Sequence, residues 1–155
     1  MLKLQPIEFL LRVLPESFLF VLAVYIFSKT KINKKKYFIT GLIFSVVVFI
    51  IRMLPINYGV HMILSVLFLL FITVKYNNID VISSIKSIIF TYMIQLISEA
   101  INILFLNIID INLDIAFINP ITKNLLGIPS IILTFLMIII SYKFINKRKD
   151  EKKVC

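Results

Sequence analysis

Glu8, Arg12 and Glu16 stand at i, i+4 and i+8 of an otherwise apolar stretch. That spacing stacks side chains on one face of a helix and lets opposite charges pair along it. A second polar set keeps a similar rhythm: Tyr92, Gln95, Glu99 and Asn102 share one helical face, with the Glu99 carboxyl near the middle of an apolar run. Such a group can bind a polar ligand, accept a proton, or hydrogen-bond to a neighbouring helix or a second copy of the chain. Arg12 is the natural cation for Glu99 if the first and fourth helices touch. The only histidine, His61, lies close to Arg52 and Tyr58; it can sense pH or simply anchor a helix end. Lys86 reads as an anchor whose long stem reaches back to headgroups. No nucleophile–base pair, cysteine–histidine cluster or glycine-rich phosphate loop is present, so the chain is expected not to be an enzyme and to need no cofactor or metal.

The elements that must position these residues are apolar runs at 7–27, 37–54, 60–74, 81–106 and 125–144. Most approach the ~20 residues that a helix needs to cross ~30 Å of hydrocarbon. Segment 28–36 carries Lys29, Lys31, Lys34, Lys35 and Lys36 without an acid, and the fifth run is followed by Lys143, Lys147, Arg148, Lys149, Lys152 and Lys153. The alternating segments, 52–61 and 107–124, hold only Arg52 and Lys123 as cations, and the second adds Asp110 and Asp114. Cations gather on the cytoplasmic side, so the N-terminus is expected outside and the C-terminus inside.

With 155 residues, 60% of them hydrophobic, and a mean hydropathy of +1.01, the pattern predicts one all-α integral membrane bundle of about five helices over 1–145 and a basic tail over 146–155. The net charge of +9 does not imply nucleic acid, because the cations flank apolar spans and no aromatic-interleaved basic surface exists. Contact with anionic lipid headgroups, at about 1 kcal/mol per cation near the surface, is expected instead. Cys155 is the single cysteine, which precludes an internal disulfide, and its position does not fit a prenylation box. The N-terminal run has no small-residue cleavage site and is expected to be retained. Two readings of residues 7–15 stand: part of the first span, with the charged triad lining a cavity near the outer leaflet, or an amphipathic lead-in along the interface, with the span beginning near Pro15. Pro129 with Gly127 reads as a kink or as the first turn of helix five, and Asn119-Pro120 as the turn before it. Abundant isoleucine, asparagine and lysine, with three glycines and no tryptophan, point to an AT-rich bacterial source.

Residues 7–18 (IEFLLRVLPESF), 52–61 (RMLPINYGVH) and 98–102 (SEAIN) together resemble the multi-pass N-terminal sensor regions of clostridial accessory-gene-regulator-like histidine kinases, whose cytoplasmic half is a GHKL-type ATPase. The resemblance implies a membrane sensor in the bacterial plasma membrane. The dimerisation helices, the phospho-accepting histidine and the ATP site of that family have no counterpart in these residues, so a stand-alone sensor-like domain working with a separate kinase or other regulator is expected. External residues around 52–61 and 110–123 would meet the signal, and the face bearing Glu99 would carry it inward. The alternatives are a small transport component, which would show flux lost on Glu99→Ala, and a peptide-immunity or assembly factor, which would co-purify with a partner without flux.

Overall fold

The computed structural model describes residues 9–54, 58–108 and 120–151, with side chains at 9–54, 59–108 and 125–143; among them the chain is entirely helices and turns. A π-helical turn, Phe9–Val13, runs directly into α1 (Leu14–Phe27), and α2 (Lys34–Met53), α3 (Tyr58–Lys75), α4 (Val81–Ile108) and α5 (Pro120–Glu151) follow. The stretches Phe9–Phe27, Lys34–Met53, Val81–Ile108 and Leu125–Lys143 are each long and apolar enough to cross a bilayer; the apolar part of α3, Gly59–Lys75, is shorter. At ~1.5 Å per residue α3 reaches about 27 Å, and the stem of Lys75 at its end makes up part of the difference.

The surroundings of this bundle can be read from α4. Ser84, Ser87, Thr91, Gln95, Ser98 and Asn102 recur every three or four residues and are buried, whereas Ile82, Ile89, Phe90, Met93, Leu104 and Phe105 are exposed. Water would favour the reverse. Hydrocarbon leaves the outer apolar face at no disadvantage, and the small polar side chains let helices approach closely inside. Two of the inner hydroxyls are satisfied by their own helix, Ser87 Oγ donating to the Ser83 carbonyl at 2.7 Å and Thr91 Oγ1 to the Ser87 carbonyl at 2.7 Å, whereas those of Ser84 and Ser98 have no partner among the described residues. The fold is an integral-membrane type of helical bundle.

α1 sits at its centre and packs against α2, α4 and α5, while α3 lies between α2 and α4. Its sequence requires that place, because a helix apolar on all sides is best used up in contacts; Val21, Ala23, Val24 and Tyr25 are almost fully enclosed. Cross-helix contacts set α4 and α5 antiparallel: Asn102 on α4 meets Leu126 on α5, and Gln95 meets Thr134 further along. One end of the bundle therefore gathers the starts of α1, α3 and α5 with the ends of α2 and α4. The other end gathers the lysine-rich 28–36 segment, Lys75 and Lys143.

Short polar residues make the turns at the lysine end. Asn33 caps α2, its Oδ1 accepting from the Lys35 and Lys36 N–H groups at 3.1 and 3.4 Å, and Asp80 accepts from the Ser83 N–H at 3.2 Å. Lys29 and Asn78 take the left-handed backbone that tight turns demand, at φ 56° and 57°. Buried Thr40 donates to Asn77 Oδ1 at 3.0 Å and ties the α3–α4 turn back to α2.

Helix five departs from the apolar pattern at both ends. It starts at Pro120, where a proline at the first position loses no helical hydrogen bond, and continues through the basic segment to Glu151. Pro129 therefore lies inside the helix and not in its first turn. Pro55, Asn57, Asp110, Asp114 and Cys155 lie outside the described residues.

Candidate functional site

Construction of the site begins at Pro15. Proline has no N–H to offer the carbonyl four residues earlier, and its ring crowds the preceding turn. That turn, Phe9–Val13, is widened to a π-turn, a feature found often at functional positions. Phe9 packs edge-on against Phe49 of α2 with ring centroids 5.1 Å apart, while Leu10 and Leu11 face outward. Residues 9–13 thus pack against the bundle and run directly into α1.

The guanidinium of Arg12 lies between α4 and α5. Its Nη2 is 3.6 Å from Glu99 Oε1, an ion pair with both side chains about a quarter exposed, at 27% and 25%. Gly127 makes room for it: a Cβ at that position would sit 3.3 Å from Nη1 and 3.4 Å from Cζ. One turn further along α1, Glu16 Oε2 accepts from Arg52 Nη2 of α2 at 3.3 Å, and the Glu16 side chain is only 11% exposed. Arg12 and Glu16 thus pair across helices, with Glu99 and Arg52. The π-turn breaks the 3.6-residue spacing at Arg12, and α4 and α2 each present an opposite charge. Glu8 lies outside the described residues.

From Glu99 a polar seam continues into the bundle. Gln95 Nε2 donates to Glu99 Oε1 at 3.0 Å, and Gln95 Oε1 accepts from Thr134 Oγ1 of α5 at 2.8 Å. Asn102 Nδ2 donates to the Leu126 carbonyl at 2.9 Å, which leaves its Oδ1, with the Ser98 hydroxyl, buried and without a partner among the described residues. Tyr92 stands at the edge of this face, its ring edge-on to Phe20 at 4.9 Å. The structure thus brings Arg12, Glu99, Gln95 and Asn102 together in one interface of three helices, with Tyr92 further along α4. Arg52 joins Glu16 in a second ion pair. His61, grouped with Arg52 by sequence, instead has a buried Nδ1 without a partner among the described residues, and its carbonyl accepts from Ser65 Oγ at 2.8 Å.

Gly127, Thr134 and Ser130 complete the seam; the sequence marks Gly127 only as a bend or helix start beside Pro129, and hydroxyls common in apolar helices reveal nothing until the helices are paired. The seam holds an ion pair, amides and hydroxyls, and the described residues include no cluster of three or more histidine, cysteine, aspartate or glutamate residues able to hold a metal. The partly exposed ion pair can be contested by another charged or hydrogen-bonding group. Comparisons with protein-family models, with curated proteins and with solved structures find no match.

Proposed function

We propose that the chain is a non-catalytic sensory or regulatory protein of the bacterial plasma membrane, which binds an external signal or a membrane partner and passes the event to a separate cytoplasmic regulator such as a kinase. The observation that carries this reading is the clamp on α1: the central helix is held near one end by two partly accessible ion pairs, Arg12–Glu99 to α4 and Glu16–Arg52 to α2. A ligand that competes for either pair binds one helix packing better than the other, which is what a population shift requires. The far end of α1 leads into the lysine-rich 28–36 segment, which the cation bias assigns to the cytoplasm. A change at the clamp then reaches the side where a regulator waits.

Mild cross-linking in native membranes, followed by capture and mass spectrometry, tests this reading. Recovery of a kinase or response regulator is expected; recovery of permease or ATPase subunits would replace it with the transport reading. The buried polar row of α4 is the one feature in favour of transport. Its hydroxyls at Ser87 and Thr91 are bonded to backbone carbonyls, which suits helix packing, while those of Ser84 and Ser98 have no partner among the described residues. Substrate flux into liposomes that disappears in Glu99→Ala would overturn that judgement.

A further inference from the structure

At the lysine end, an open groove of about 260 Å³ lies between α1 and α4, lined by Phe27, Lys86, Ser87 and Phe90. We propose that this groove is a specific site for one anionic phospholipid, with its phosphate held by Lys86 and the upper part of an acyl chain laid on Phe27 and Phe90.

Three observations converge on that ligand. Lys86 is the only cation within the otherwise apolar outward face of α4, where its neighbours Ile82, Ile85, Ile89 and Phe90 are exposed to hydrocarbon. Its stem carries the ammonium towards the headgroup level, where a lipid phosphate can meet it, and the described ion pairs, Arg12–Glu99 and Arg52–Glu16, do not involve it. The groove walls are suited to a chain and not to a free ion: Phe27 and Phe90 meet edge to face with centroids 4.7 Å apart, forming an apolar cleft directly beside the charge. Ser87 closes the floor, since its hydroxyl donates to the Ser83 carbonyl at 2.7 Å and leaves only its acceptor lone pairs, so the site's one strong donor is Lys86. The surrounding potential selects charge. Lys29 follows Phe27 by two residues, and Lys31, Lys34, Lys35, Lys36 and Lys75 lie at the same end against Asp80. A zwitterionic headgroup would bring its own ammonium into that field, whereas an anionic one brings none. Basic pockets between membrane helices on the side rich in cations bind such headgroups.

The test is native mass spectrometry of the full chain released from nanodiscs of phosphatidylcholine mixed with phosphatidylglycerol or cardiolipin. Wild type should retain about one anionic lipid per chain and no phosphatidylcholine. Lys86→Gln should lower that retention about fivefold, the equivalent of one cation near an anionic surface, while Lys86→Arg should keep it. Lys75→Gln makes the same charge change at the same end away from the groove and should leave retention intact. Phe90→Ala should weaken retention without abolishing the preference for anionic lipid. Equal loss in Lys75→Gln and Lys86→Gln would mean diffuse attraction by the lysine rim and would overturn the proposal. So would unchanged retention in a folded Lys86→Gln, or equal retention of phosphatidylcholine. Greater retention of cardiolipin than of phosphatidylglycerol would support a two-phosphate ligand in which Lys29 takes the second.

Discussion

Charges placed within a bilayer are informative because they must be answered by something nearby. Arg12→Ala leaves the Glu99 carboxylate without its cation; with both side chains about a quarter exposed, the loss should fall between exposed and buried pairs, roughly 1–3 kcal/mol. Glu99→Gln removes one charge, keeps the hydrogen bond to Gln95 available, and should be milder than Arg12→Ala. Thermal unfolding in a mild detergent orders the two, and a milder Arg12→Ala would contradict the geometry. Gly127 gives a sharper test. Its Cβ would meet the guanidinium at 3.3 Å, so Gly127→Ala should be close to neutral, helped by roughly 1 kcal/mol of helix propensity. Gly127→Leu should push Arg12 away from Glu99 and match Arg12→Ala, with no further loss when the two are combined; additive losses would place the glycine's role elsewhere.

Helix-scale features decide where those charges point. Phe9 and Phe49 pack ring against ring, 5.1 Å apart, so cysteines placed at both positions, with Cys155 replaced by serine, should be joined efficiently by a short bifunctional thiol reagent. Pro15→Ala restores an N–H, permits the π-turn to tighten to an α-turn, and should slow that cross-linking; an unchanged rate would mean that packing alone holds the turn. At the α1–α2 interface, a Cβ on Gly41 would come within 2.8 Å of the Phe18 ring, so Gly41→Ala should cost about 1–3 kcal/mol, as overpacking does. The apolar runs make the five helices legible from the residues alone, because a bilayer demands long uniform stretches and the cation-rich or polar punctuation at 28–36, 77–80 and 107–124 interrupts them. Helix ends are less legible: Pro120 and the basic segment through Lys149 are compatible with a helix but not apolar. The partners of charged residues are legible only in part. The 3–4 spacing puts Gln95, Glu99 and Asn102 on one face and names Arg12 for Glu99 on the condition that helices one and four meet. That Glu16 turns to Arg52, that Pro15 widens a turn, and that Gly127 admits a guanidinium are facts of three-dimensional contact, which no spacing within a single segment encodes.

For the molecule as a whole, inverted burial and charge asymmetry fit together: polar side chains line the interior of α4, apolar ones face outward, and the lysines whose side chains are described collect at one end. Cys155 is a built-in reporter of orientation. A membrane-impermeant maleimide should label it only after the cells are permeabilised, and labelling of intact cells would reverse the assignment of the lysine end to the cytoplasm. A reversed orientation would move the Arg12–Glu99 clamp away from external signals and remove the sensory reading with it. Whether the clamp governs what the protein holds on its far side is decided by a double-mutant cycle of Arg12→Ala and Glu99→Gln, read as partner capture from native membranes. Both single variants should shift capture of the same regulator in the same direction, and the double variant should go no further than the stronger single one, because both remove one interaction. Capture that stays at the wild-type level in folded Arg12→Ala and Glu99→Gln, or shifts that simply add, would contradict a role for the clamp.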